Sequence, residues 1–260
     1  MKIEQRARVL SLVFVFIGLS AWADEPAVQQ LARKPVKLPG MVIDLEKRYI
    51  DLEATVCLDE GFLELVACTK GSKEHESIVA VGARPMHIHT ALLLLGANNG
   101  NPAMRKQVGE KEKRWIDIPP RGDEIEAYLV FKNSAGKMIE RPMSDFITRS
   151  KDRSDEIGVV ENPDKKSNSA SGNKFPSTFL FAGSHLRANR KGPRQYLADL
   201  SGNVISIATF GDEILCLSDV QSNLNGSLTW QVNPKHLPKV GAKITLRLRT
   251  KKDHKIGAKK

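Results

Sequence analysis

Three of the chain's six histidines fall between Lys70 and His89, in the stretch KGSKEHESIVAVGARPMHIH. Glu74 and Glu76 flank His75, and His87 and His89 form a His-x-His pair. Imidazole and carboxylate are ligand types for zinc or iron, and on a β-strand a His-x-His pair presents both rings on one face. The same stretch offers acid–base groups, and Ser77 adds a hydroxyl, yet neighbours in an extended loop point in alternate directions and do not act on each other. Ser184, in FAGSH, lacks the G-x-S-x-G elbow of a nucleophilic serine, and the adjacent His185 is poorly placed to serve it. The remaining chemistry is recognition. Lys73, Glu74, His75 and Glu76, with His89 and Ser184, are the candidate groups for gripping a polar ligand such as a glycan or peptide. The competing role is structural, with Glu74 or Glu76 pairing with Arg84 or Lys73 to fix the loop.

The element that carries the histidine pair decides its use. Arg84-Pro85 favours one extended residue followed by a first helical turn. MHIHTALLLLG then continues as a helix, stopped by Gly96 and the Asn98-Asn99-Gly100 turn. At about 100° per residue, Ile88, Ala91, Leu92 and Leu95 form its core face. Leu93 and Leu94 extend the apolar surface almost all round, which predicts a largely buried short helix. On it His87 and His89 point roughly 200° apart, so one ion does not easily take both. No metal site, cofactor or catalytic residue is assigned. A metal site would need His75 with one of its glutamates.

Strand patterns surround this helix. MVIDL reaches a turn at Glu46-Lys47, after which Ile50, Leu52, Ala54, Val56 and Leu58 alternate with more polar residues. Asp59-Glu60-Gly61 reads as a turn that sends Leu63, Leu65 and Ala67 back as the second strand of a hairpin. In that hairpin Cys57 and Cys68 lie roughly 13 Å apart at ~3.3 Å per residue, too far for a disulfide, which leaves Cys216 as the better partner for either. Ile78 to Val81 is a short buried strand. Residues 124 to 148 form a second hairpin about Ser134-Ala135-Gly136-Lys137. Residues 150–174 are polar and read as a long mobile loop. FPSTFLFAGS, YLADLSGNVISIATF with its Ser201-Gly202-Asn203 turn, EILCLSD and AKITLRLR read as further strands. The fold class is α+β: a β-rich single domain with antiparallel hairpins and one short buried helix.

The opening residues set a compartment. Lys2, Arg6 and Arg8 precede an apolar run from Val9 to Trp22 and the Ala21-Trp22-Ala23 cleavage pattern. This is a secretory signal peptide over residues 1–23, too short in its apolar run for the ~20 residues that span a bilayer. It predicts an exported protein, periplasmic or secreted, with no transmembrane anchor after cleavage. No cysteine lies near Ala23 to accept a lipid anchor. Residues 24–39 are a proline-containing lead-in, 40–250 the folded domain and 251–260 a basic tail. The chain's net charge is +10, and its tail, KKDHKIGAKK, offers weak contact with an anionic surface. With three Tyr and three Trp and no basic stripe interleaved with aromatics, no specific nucleic-acid platform is present. Three cysteines without C-x-x-C spacing argue against a zinc ribbon or thioredoxin-type site.

The succession MVIDLEKRYIDLEATVCLDEGFLELVAC, KEHESI, ALLLLGA, FAGS and YLADLSGNVISIATF resembles the YdjY-like family of exported bacterial proteins, from about Gly40 to about Arg249. KEHESI followed by ALLLLG is the most specific of these signatures. The resemblance implies one exported α+β domain and brings no established activity with it. The leading reading is a non-catalytic ligand-binding or structural protein of the cell envelope. The alternative is a metal-dependent, hydrolase-like envelope enzyme centred on His75.

Overall fold

The computed structural model describes residues 34–109, 114–150, 174–189 and 192–251. Eleven strands form one sheet. In chain order they are β1 (Val36–Leu38), β2 (Met41–Asp44), β3 (Tyr49–Val56), β4 (Leu65–Thr69), β5 (Ser77–Val81), β6 (Glu124–Lys132), β7 (Met138–Pro142), β8 (Thr178–Phe181), β9 (Asn203–Ser206), β10 (Leu215–Cys216) and β11 (Lys243–Thr250). Two helices accompany them among the described residues, α1 (Pro85–Leu94) and α2 (Leu197–Ser201). Eight of the strands close into a barrel in the order β3-β11-β6-β8-β10-β9-β4-β5, and β5 pairs back onto β3.

Alternation of side chains builds the barrel interior. Ile50, Leu52, Ala54 and Val56 on β3, Ile125, Ala127 and Leu129 on β6, and Leu246 and Leu248 on β11 are buried. Each such side chain stabilises by about 1.5–3 kcal/mol if fully withdrawn from water. The outward residues between them carry charge. Arg247 on β11 donates from Nε and Nη2 to Asp51 at 2.6 and 2.7 Å and from Nη1 to Glu140 at 2.8 Å, tying β3, β11 and β7 together. β4 and β5 are different: Leu65 to Cys68 and all of β5 are buried on both faces. That is the burial expected where a parallel pair is covered on each side, and β4 and β5 are indeed parallel.

The β-rich character, the second hairpin and the helix agree with the sequence reading. β6 and β7 pair from Lys132↔Met138 around Gly136, and α1 starts with Pro85 in its first turn. Its predicted core face is correct: Ile88, Ala91, Leu92 and Leu95 are at most 3% exposed. The all-round burial is not, because Leu93 and Leu94 are 44% and 58% exposed. The first hairpin is also corrected, since β3 pairs with β2, β11 and β5 but not with β4. Alternation fixes which face of a strand is apolar but not which strand lies beside it. The segment after β3 is instead held by long-range bonds, Cys57 N–H to Ile78 O at 2.8 Å and Leu63 N–H to Trp230 O at 2.9 Å. The fold is therefore a closed barrel with added strands, which includes antiparallel hairpins such as β6–β7 but is not built from hairpins alone.

With that hairpin the estimated separation of Cys57 and Cys68 falls too: both belong to one small cluster with Leu65, Ala80 and Phe210. Cys57, Cys68 and Cys216 are free thiols. LADLS, read as strand, is α2, with Tyr196 before it in a two-residue strand, and EILCLSD contributes only Leu215–Cys216 as β10. Five residues are too few for helical periodicity to stand out, but the stop signal is present. Gly202 follows at φ 80°, donating its N–H to Ala198 O, a left-handed cap that suits glycine. A Cβ there would meet Ser72 Oγ at 2.3 Å.

The signal segment 1–23 lies outside the described residues. So do most of the lead-in, the polar stretch 150–174 except its two ends, and the basic tail beyond Lys251. No helix among the described residues is long and apolar enough to cross a membrane.

Candidate functional site

The candidate residues divide between two places. The first is the 3-10 turn Glu74–Glu76 that leads into β5. His75 is 76% exposed there, with Nε2 3.2 Å from Glu76 Oε1. Glu74 accepts a hydrogen bond from the Gly71 N–H. Lys73 places Nζ 3.6 Å above the centre of the Phe210 ring, a cation–π contact with the loop after β9. Ser77 is fully buried and donates Oγ–H to Lys73 O at 2.7 Å, a bracing role that leaves no free nucleophile. Glu76 stands beside Glu64, bonded backbone to backbone, and the Glu64 carboxyl is pushed up to about 7 by burial first, then by Glu76, against the pull of Lys73.

The second place is a cavity of about 410 Å³ between α1 and the chain that follows β8. Met86 and His89 line it from α1, Asn99 and Gly100 from the segment after α1, Ser184 and His185 from the segment after β8, and Tyr196 from the entry to α2. Backbones meet closely here. A Cβ on Gly183 would come 2.7 Å from Asn99 Cβ, and one on Gly100 would come 2.2 Å from Arg121 O. Glycine at both positions keeps these wall segments in contact.

His89 is the polar anchor of the cavity. Its Nδ1 lies 3.0 Å from Gly183 O and 2.8 Å from the Tyr196 hydroxyl. Tyr196 donates to the same Gly183 carbonyl at 2.9 Å. A carbonyl only accepts, so the network assigns the hydrogen to Nδ1 and leaves Nε2 with its lone pair. Burial pushes the His89 value down, with the Gly183 bond opposing it, which keeps the ring neutral at pH 7. Phe181 meets the ring edge-on at 4.9 Å between centroids. Burial, followed by the charge of Asp199, drives the Tyr196 phenol upward, so it stays protonated. The inner end of the cavity thus presents neutral imidazole, phenol, amide and carbonyl groups.

Ser184 lines this cavity but its hydroxyl is committed. Oγ donates to Asp212 O at 2.5 Å and accepts the Ala198 N–H at 3.1 Å, so it supplies α2 with the bond of a helix cap. Asp199 does the same for α1: its Oδ1 accepts the Met86 N–H at 2.9 Å while its Oδ2 pairs with Arg84. Local signals bound the two helices, and these long-range caps from Ser184 and Asp199 set where they carry His89 and Tyr196.

The structure therefore brings His89 and Ser184 together and leaves Lys73, Glu74, His75 and Glu76 in a separate cluster. His75 and His87 do not line the cavity. Among the described residues no three His, Cys, Asp or Glu side chains form a metal-ligand group, and the surroundings of His75 supply no ligand set of that kind. Tyr196, Asn99 and Gly183 were not legible in the sequence as site residues. Glu64 left a trace, as a lone acid in the apolar run LELVAC.

Comparison with known families bears on this architecture as a whole. A family model described as the YdjY domain matches residues 41–249. The chain belongs to the YdjY domain family. No curated protein and no solved structure matches it. The matched span of the YdjY domain runs from the start of β2 to the penultimate residue of β11, and so contains all but the last residue of the barrel, both helices and both clusters.

Proposed function

We propose that this YdjY domain is a non-catalytic binding protein that takes a neutral polar ligand, a glycan ring or a short peptide, in the His89–Tyr196 cavity. One observation carries the reading. A half-buried neutral imidazole is fixed through Nδ1 by Tyr196 and Gly183, with Nε2 free as an acceptor on a cavity of about 410 Å³. Sites for small ligands measure about 300–1,000 Å³ and combine apolar walls with a few placed polar groups. Met86 and Leu186 supply apolar wall, and Asn99 supplies an amide. The committed Ser184 hydroxyl argues against a serine nucleophile. Residues 1–23 support an exported protein, periplasmic or secreted and not lipid-anchored, and the tail 251–260 supports weak contact with an anionic surface.

The test is a thermal-shift and calorimetric screen of the full chain against neutral mono- to trisaccharides and uncharged dipeptides. At least one probe raises the melting temperature, and His89→Leu and Asn99→Ala each weaken its binding at least tenfold. The reading is overturned if no probe binds, or if binding is indifferent to both substitutions.

A further inference from the structure

Glu64 and Glu76 are brought side by side by strand register. β4 and β5 run parallel with Leu65 opposite Ser77, so the residues just before each strand, Glu64 and Glu76, stand at the same level. Their backbones are joined there by the Glu64 N–H to Glu76 O bond at 3.3 Å. Two like charges facing each other across strands are destabilising, and Glu64 is only 8% exposed. Two carboxyls set at one level, one of them buried, favour the state in which one keeps its proton, and burial together with Glu76 pushes the Glu64 carboxyl up.

The effect of that proton depends on the groups around the pair. From the turn, Lys73 acts on Glu64 as an opposing positive charge, His75 reaches Glu76, and Glu74 is turned away onto Gly71. From the loop after β9, the N–H groups of Ile207 and Ala208 both donate to the Glu64 carbonyl at 2.9 Å, and Phe210 lies under Lys73. Phe210 also packs with Cys57, Leu65, Cys68 and Ala80. The 73–76 turn is therefore attached to the 207–210 segment by the cation–π contact, and by the carboxyl pair to Glu64, whose carbonyl in turn holds Ile207 and Ala208.

We infer that Glu64 and Glu76 form a proton-operated latch at the entry to β4 and β5: while they share a proton the KEHES turn is held against Glu64 and the start of β4, and when both ionise the turn is released. The shared proton is the only change the latch needs, so it operates without ligand or metal. Its midpoint is expected near neutrality, since burial and Glu76 push the Glu64 carboxyl up to about 7.

Amide hydrogen exchange on the full chain tests this, with rates corrected for the intrinsic effect of pH. Between pH 6 and pH 8 the protection of residues 71–77 falls at least tenfold in the unmodified protein, while the β6–β7 hairpin keeps its protection. Glu64→Gln holds a permanent donor against Glu76, and it removes the fall; Glu76→Gln does the same. The latch is overturned if residues 71–77 show no fall, if the hairpin loses protection in parallel, or if both glutamine variants keep the wild-type pH response.

Discussion

His89 Nδ1 lies 2.8 Å from the hydroxyl of Tyr196, a residue 107 positions further along the chain. The pair converges on one carbonyl, that of Gly183, which each approaches at about 3 Å. Tyr196→Phe removes the hydroxyl but leaves Gly183 O with the His89 N–H, so the carbonyl is not orphaned. The expected cost is about 1–2 kcal/mol, read by urea denaturation, with the fold retained by circular dichroism. A cost below about 0.5 kcal/mol would show that the hydroxyl contributes little to holding the ring.

Two groups give stability opposite dependences on pH. His89 has a folded value below its ordinary 6.5, so the unfolded chain binds more protons around that pH. Its contribution is present above pH 6.5 and is lost as pH falls through the folded value. Glu64 is raised from 4.5 to about 7; its contribution is complete below pH 4.5 and is lost as pH rises through 7. Melting temperature against pH therefore has an acid limb that His89→Gln flattens and a neutral limb that Glu64→Gln flattens. If each variant leaves its own limb intact, the assignment fails.

Gly122 and Gly136 both have positive φ, 150° and 74°, but only Gly122 adds a steric demand. A Cβ at Gly122 would lie 2.0 Å from Phe181 O, whereas at Gly136, with φ 74°, nothing lies within 4 Å. Gly136→Ala is expected to cost only the left-handed backbone penalty of roughly 1–2 kcal/mol. Gly122→Ala must part the backbone from β8 and is expected to cost at least about 3 kcal/mol. Equal losses for the two variants, measured by denaturant titration, would contradict this packing.

What was legible in the sequence came from local periodicity. β3, β6 and β11 alternate so cleanly that their inward residues are plain, and Pro85 with Gly96 bounds α1. The barrel was not legible, because the pairings of β3 with β11 and of β4 with β5 depend on residues far apart or on a parallel crossover that alternation does not encode. Of the candidate residues, His89 and Ser184 line one cavity. Tyr196, at the end of a two-residue strand, carries no local signal that pairs it with His89, and His75 is a side chain three-quarters exposed.

α1 offers a direct check of that boundary between pattern and packing. Leu92 is fully buried and Leu94 is 58% exposed, two positions apart on the same helix. Leu92→Ala is expected to cost about 2–5 kcal/mol and Leu94→Ala no more than about 0.5 kcal/mol. Thermal denaturation of the two variants side by side reads the difference, and a comparable loss at Leu94 would place that side chain in an interface.

The cysteines are expected to be slow to react in the folded protein. Burial, then the neighbouring Cys68 and Glu74 charges, pushes Cys57 up to about 11, and Cys68 and Cys216 are buried. Since the thiolate is the reactive form, alkylation at pH 7.5 should modify less than one thiol per native chain while the denatured chain yields all three. Rapid native modification of Cys57 would show that the cover over its cluster opens readily.

Barrel closure has a kinetic meaning. Asp51 and Arg247, joined across β3 and β11, are separated by 196 positions, so the seam that seals the cylinder is among its least local contacts. Topologies dominated by such distant pairings fold on a scale of milliseconds to seconds, since the chain must search before the contacts reward it. A fragment ending before residue 243 lacks the strand that bridges β3 to β6 and leaves two hydrogen-bonding edges open. Such edges recruit other chains, which makes the sealing strand a guard against aggregation as well as a wall of the core.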